Sequence, residues 1–319
     1  MAELIQRDGT WDFDGERLRL VPGTGRNVHP LRTGLGEIAV PLEAIAGISL
    51  EPGRRRARLR LRLREGADPL DHTCSGRLAD DATPYALAVE SERTGTAEYL
   101  VDEVRTALLL ERIPVDEPAG RWLLPGPSVP RVVSGGDGKV TFDGRVLRIE
   151  WGWACEESKK SAGTRVLPLR DVAAVEWSRA RWESGWFRVR PVGPGVEVKP
   201  SHDPNCVTLW GLSERRETAE VALLAAAVTA RLPHPRVGDG ADAGASPGAD
   251  APMPPLLTKA GEPTAPAGPE GGAGGAGGKD GHDPDAVLRR LRELGELRSS
   301  GVLTEEEFTR AKRALLDRL

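Results

Sequence analysis

The strongest constraint on what this chain can fold into is that it repeats itself. The segment DGTWDFDGERLRL from Asp8 returns as DGKVTFDGRVLRIEW from Asp137, sharing Asp-Gly, then Phe-Asp-Gly, then Leu. IAVPLEAIAGISLE from Ile38 returns as RVLPLRDVAAVEW from Arg165, with Pro-Leu in common and Ile45 and Ile48 set against Val172 and Val175. TAEYLVDEVRTALLLERIP from Thr96 returns as TAEVALLAAAVTARLPHP from Thr218. Three matches in one order predict a duplicated domain. Copy one covers residues 1–114, an inter-copy linker 115–132 and copy two 133–235.

Each copy reads as several strands followed by one helix. Alternating residues flank Asp14-Gly15 and again Asp143-Gly144, and an Asp-Gly dipeptide supplies the positive φ of a tight type I′ hairpin turn. In the terminal helix of copy one, Ala97, Leu100, Val101, Val104, Ala107 and Leu108 recur at steps of three and four and form one apolar stripe. The helix of copy two is apolar nearly all round, through Val221, Leu223, Leu224, Ala225 and Val228, so it needs cover on more than one side, for which the other copy is a candidate. Strands closed by one C-terminal helix, with a Pro-Leu-x-x-Ile-x-x-Ile segment leading into a strand, resemble the pleckstrin-homology-like domains of bacteria and an uncharacterised family of high-GC bacteria that occurs in tandem. The resemblance implies an α+β fold: two tandem copies of a bent antiparallel sheet or partial barrel, each capped by its C-terminal helix. Such a fold displays loops for ligands or partners.

After Pro235 the chain becomes dense in Gly, Ala and Pro and loses its large apolar residues, which predicts a disordered linker over 236–282. A helical hairpin is expected over 283–319. Asp283 is an N-cap with Pro284 at the first helical position, and Leu288, Leu291 and Leu294 make a stripe ending near Gly301. Thr304 and Glu307 have the spacing of a capping box, and the second helix turns Phe308, Ala311, Leu315 and Leu316 to one side. Leu291, Leu294, Gly301, VLTEEEF, Lys312 and the closing Leu-Leu resemble the short C-terminal domain (SHOCT) of bacterial and phage proteins. That resemblance implies oligomerisation or protein-partner binding, through Leu291, Leu294, Phe308, Leu315 and Leu316.

Composition narrows the function classes. A net charge of -4 and a pI near 5.9 argue against general affinity for nucleic acid, so any anion binding is local. Cys74, Cys155 and Cys206 contain no CxxC pair, the five histidines show no metal-ligand spacing, and no nucleophile motif is present, so no catalytic residue, metal or cofactor is expected. The N-terminus lacks a signal peptide and no apolar run reaches the length of a membrane span, which predicts a cytoplasmic protein.

Two features remain as candidate sites. RRRARLRLRLRE, Arg54 to Glu65, places Arg58, Arg60 and Arg62 on one face of a strand and Leu59, Leu61 and Leu63 on the other. Either the arginines are its solvated face, with acidic partners from neighbouring strands, or they grip an anion, a lipid headgroup or an acidic protein. The 37 arginines stand against 7 lysines, a bias that makes arginine richness weak evidence for either. Copy two instead holds six of the eight tryptophans, and Trp182, beside an expected turn, is a candidate exposed contact while Trp177 and Trp210 read as core. WACEESKKSAG, from Trp153, reads as a solvated loop in which Lys159 and Lys160 would lower the Cys155 pKa if they folded back on it. The expected function is a non-enzymatic scaffold or adaptor, with a peripheral anion or lipid-headgroup module using the Arg54–Arg64 face as the alternative.

Overall fold

In copy one, β1 (Ala2–Gln6), β2 (Gly9–Phe13), β3 (Arg17–Pro22) and, after the short helix α1 (Pro30–Leu35), β4 (Ile38–Pro41) form an antiparallel sheet in that order. The structure, a computed structural model, describes residues 2–235 apart from 180–184, 196 and 212. A second antiparallel sheet joins β5 (Ile45–Glu51), β6 (Ala57–Leu63) and, after α2 (Pro69–Cys74), β7 (Ala86–Val89). The helix α3 (Thr94–Leu110) closes the copy. Copy two repeats the plan with β8 (Arg131–Ser134), β9 (Gly138–Phe142), β10 (Val146–Trp151), α4 (Glu157–Ala162) and β11 (Arg165–Pro168) in its first sheet. Its second sheet holds β12 (Val172–Ser178), β13 (Trp186–Pro191) and β14 (Cys206–Thr208), and α5 (Glu214–Thr229) ends it. Among the described residues α2 has no counterpart in copy two.

The repeated sequence segments become repeated local structures. Pro41-Leu42 and Pro168-Leu169 each open a single 3-10 turn, and each turn leads into a strand whose pairing slips by one residue, at Ile45/Gly47 and at Val172/Ala174. The bulge bends the strand where the chain passes from the first sheet to the second. Ile45, Ile48, Val172 and Val175 are buried there, as the spacing predicts. The Asp-Gly hairpins form, but not with a type I′ turn. Only the glycine has positive φ, +106° at Gly15 and +104° at Gly144, and the last paired residues, Phe13 with Leu18 and Phe142 with Leu147, enclose residues 14–17 and 143–146. The aspartate stabilises it instead. The Asp14 carboxylate accepts from the N–H groups of Glu16 and Arg17 at 2.8 and 2.7 Å, and Asp143 repeats this with Arg145 and Val146.

The two closing helices are used differently. α3 packs one stripe, Ala97, Leu100, Val101, Val104 and Leu108, on β5 and β1, and leaves Tyr99, Leu109 and Leu110 exposed. α5 is buried on every side from Val221 to Val228. Its inner face lies on β8 and β12 of its own copy, and its outer face is covered by α1 and α2 of copy one. The copies therefore join helix α5 to helices α1 and α2. Leu31, Leu70, Cys74 and Ala82 of copy one belong to the apolar core built around α5. Gly34 on α1 permits the approach, since a Cβ there would lie 2.7 Å from Leu223 Cδ1.

Between Ala119 and Leu124 the inter-copy segment is bound to copy one. Ala119 N–H donates to Glu65 O at 2.7 Å, Leu123 N–H and Leu124 N–H donate to Ala67 O, and Ala119 and Leu124 are buried. Trp122 stands edge-on between His72 of copy one and His234 at the end of copy two, with centroid distances of 5.4 and 4.5 Å.

Candidate functional site

The arginine strand is β6. Leu59, Leu61 and Leu63 point into the core of copy one, and Arg58, Arg60 and Arg62 point out, which is the alternation the sequence predicts. Most of the outward cations are engaged. Arg58 is paired with Asp80, and Arg60 reaches both Glu51 on the neighbouring strand, at 2.8 Å, and Asp80, at 3.2 Å. Arg56 stands 3.6 Å from Glu90. Arg64 donates to two backbone carbonyls, Glu117 O at 2.7 Å and Glu43 O at 2.9 Å, and so ties the strand end to the inter-copy segment. Among the described residues Arg62 has only a long contact to Ala46 O, at 3.5 Å. The face is thus largely charge-neutralised by its own copy, and exposed pairs of this kind contribute about 0–1 kcal/mol each.

Beyond the end of β7 the arginine strand borders a cavity of about 840 Å³. Ile48, Leu61, Leu63, Leu108, Leu109 and Val115 supply its apolar lining, and Arg60, Arg62, Arg105, Glu51 and Asp71 its charges. Arg105 on α3 is oriented by donating to Ile48 O at 3.1 Å. Burial raises the pKa of Asp71, which has no cation paired with it among the described residues. Behind it Asp68 caps α2: its carboxylate accepts from Leu70 N–H, Asp71 N–H and the Tyr85 hydroxyl, the last at 2.7 Å. Burial pushes the Asp68 carboxyl up to about 6 and holds Tyr85 well above the usual phenol range. Both carboxylate oxygens of Asp68 serve the fold. The cavity suits an amphipathic ligand or side chain, with an apolar floor and Arg62 and Arg105 at its rim.

Copy two places different chemistry at the matching positions. Arg188, on β13 opposite Cys206 as Arg60 is opposite Ala86, is buried, ion-paired with Asp203 at 2.8 Å and donates to Val198 O at 2.6 Å. The stretch expected to be a solvated loop after Trp153 contains α4, and Lys159 on it is fully buried. Its ammonium donates to Asp137 Oδ2 at 2.5 Å and to Cys206 O at 2.7 Å, and lies 5.0 Å from the centroid of the Trp151 ring. Lysine turned inward is not readable from one polar stretch, because only the tertiary fold brings Asp137 and the Cys206 carbonyl to it. Lys159 is therefore not free to activate Cys155, whose thiol is raised by burial and only partly offset by Lys160. All three cysteines are free and buried.

Trp177 is buried, as expected, whereas Trp210 is half-buried and Trp153 is half exposed. Trp182 and the hairpin residues Leu291, Leu294, Phe308, Leu315 and Leu316 lie outside the described residues. Among the described residues no helix is long and apolar enough to cross a membrane, and no three His, Cys, Asp or Glu side chains are grouped to hold a metal ion.

Two antiparallel sheets and a closing helix, present twice and joined through one shared helix, define a tandem domain of the mixed α+β class. The pattern described as Domain of unknown function (DUF4429) matches residues 11–105 and 140–229, one segment in each copy, and the chain belongs to that family. The pattern of the Short C-terminal domain, SHOCT, matches residues 289–316. Comparison with curated proteins found no match.

Proposed function

We propose that the chain is a non-enzymatic scaffold or adaptor of the cytoplasm, in which two pleckstrin-homology-like copies form one platform and the C-terminal hairpin associates with itself or with a protein partner. The observation that carries this reading is α5 of copy two, buried under α1 and α2 of copy one. A helix apolar on all sides, shared across a duplication, supports a fixed platform better than two independent binding modules. The four-plus-three strand arrangement closed by a helix supports the pleckstrin-homology-like reading of each copy. The SHOCT match supports association through Leu291, Leu294, Phe308, Leu315 and Leu316. About 35 residues of hairpin bury too little apolar surface to be robust alone, so a second surface is expected to complete it.

The test compares the whole chain with one ending at residue 282 and with Leu294→Asp, by sedimentation velocity and partner capture. Both changes should lose association while the thermal unfolding of the tandem copies stays unchanged. Unaltered sedimentation and capture in the shortened chain would refute the association role. A second reading, binding of anionic headgroups, is favoured by Arg54 and Arg55, which are exposed beside β6 with no carboxylate paired to them among the described residues. Flotation with anionic vesicles that falls steeply with salt would support it, because such surface attraction is screened within about 10 Å at 0.1 M.

A further inference from the structure

The duplication allows each copy to be compared with the other, and one buried position differs in chemistry. Arg32 and Lys159 each stand four residues before the glycine that ends their helix, Gly36 on α1 and Gly163 on α4. Asp8 and Asp137 each precede the glycine that begins β2 or β9. In copy two this cation and this aspartate meet, as the Lys159–Asp137 pair at 2.5 Å, with Thr208 N–H filling the other carboxylate oxygen at 2.9 Å. In copy one they do not. Arg32 is 7% exposed, yet among the described residues its guanidinium makes no hydrogen bond and no ion pair, and Asp8 and Asp81 act on it only through their charge. Asp8 likewise has no ion-pair partner among the described residues.

The residues at the surrounding positions also differ. Pro22 pairs with Gly9 where Trp151 pairs with Gly138, and Ala86 and Ala88 hold the positions of Cys206 and Thr208. Copy one has a cavity of about 110 Å³ there, lined by Asp8, Asn27, His29, Arg32 and the two alanines, and also by Arg58, Asp80 and Asp81. Asp80 is committed to Arg58 and Arg60, and Asp81 to Arg215 of α5 at 3.1 Å. His29 accepts the Leu31 N–H at Nδ1, so its neutral ring carries the proton on Nε2 and adds a donor. An occupant must therefore accept from Arg32 and donate to Asp8, in a space that would hold about four waters at ~30 Å³ each. We propose that this cavity of copy one binds a small oxyanion carrying its own proton, with hydrogen phosphate the simplest that satisfies both groups, where copy two has closed the same position with an internal ion pair. A phosphate P–OH donates to Asp8 while its other oxygens accept from the planar fork of Arg32; sulfate and chloride lack that donor.

The experiment follows thermal unfolding of the full chain in sodium phosphate, sulfate and chloride at matched ionic strength and neutral pH. Phosphate alone should raise Tm with the logarithm of its concentration above Kd, on the order of 5–10 °C at a hundredfold excess over Kd. Arg32→Lys, which places copy two's residue beside Asp8, should unfold cooperatively and lose the phosphate response. Asp8→Asn, which exchanges an acceptor for a side chain that also donates, should respond to sulfate as well as to phosphate. Equal wild-type responses to phosphate and sulfate, or a phosphate response retained by Arg32→Lys, would overturn the site. Should Arg32→Lys fail to fold, Asp8→Asn decides: a gained sulfate response supports the site, and an unchanged preference for phosphate overturns it. Glycerol 1-phosphate acting at lower concentration than phosphate would overturn the free ion in favour of an esterified headgroup. These outcomes do not depend on whether the chain is a scaffold.

Discussion

Asp68 is buried, caps α2 and receives the Tyr85 hydroxyl, and burial wins over those three donors, moving its pKa from an ordinary 3.8 to about 6. Between these values the folded chain holds a proton that the unfolded chain has released. Stability from this group is thus full below about pH 3.8 and falls as pH rises through 6, by up to about 3 kcal/mol. Asp68→Asn keeps an oxygen for the cap and removes the titration. Urea unfolding from pH 4 to 7 should show the variant gaining on the wild type as pH rises, and a constant difference would mean that the carboxylate is solvated. The arginine strand makes a second comparison of single residues. Arg58, Arg60 and Arg62 changed together to Lys keep charge and aliphatic stem, so Tm should fall by no more than a few degrees, given exposed pairs of about 0–1 kcal/mol. Leu59→Glu should abolish the cooperative transition, since Leu59 is fully buried and borders neither cavity.

Among the elements, α5 is the one whose burial joins the copies, and Gly34 lies where α1 packs on Leu223 of it. A Cβ at Gly34 would need Leu223 to move, and Gly34→Val adds further atoms at a packed contact, which typically costs about 1–3 kcal/mol. Denaturant unfolding of residues 1–235 should show a lower midpoint for Gly34→Val with a single transition retained. A midpoint equal to the wild type's would show that α1 can shift freely on α5. α3 offers the contrast, because its one apolar stripe is satisfied within copy one, and Tyr99, Leu109 and Leu110 face away from it.

The whole molecule should behave as one tandem unit followed by a cleavable stretch. The sequence of 236–282 is rich in Gly, Ala and Pro and poor in large apolar residues, a composition that offers little to offset ordering entropy, so limited proteolysis is expected to cut there first and leave both copies intact. Cutting first within 115–132 would contradict the hydrogen bonds that tie Ala119, Leu123 and Leu124 to copy one. Copy two produced alone should aggregate or self-associate, since the outer face of α5 would lose its cover from Leu31, Leu70 and Ala82. Light scattering of that fragment beside the tandem unit would check it.

Sequence alone determined what depends on local periodicity and repetition. The duplication, the α3 stripe, the all-round apolar α5 and the inward leucines of β6 were legible because burial follows a period of 3.6 or 2 along the chain. The hairpins were legible too, although their turn type was not, since the aspartate side chain stabilises a longer loop than the dipeptide suggests. Tertiary structure decided everything that rests on residues far apart in sequence. It placed α1 and the unmatched α2 over α5, set Glu51 and Asp80 against Arg60, and buried Lys159 on Asp137 while leaving Arg32 apart from Asp8. A charged residue in a polar stretch reads as solvated until the fold supplies its partner, because the cost of burying a charge is offset only by groups that the chain brings together at long range.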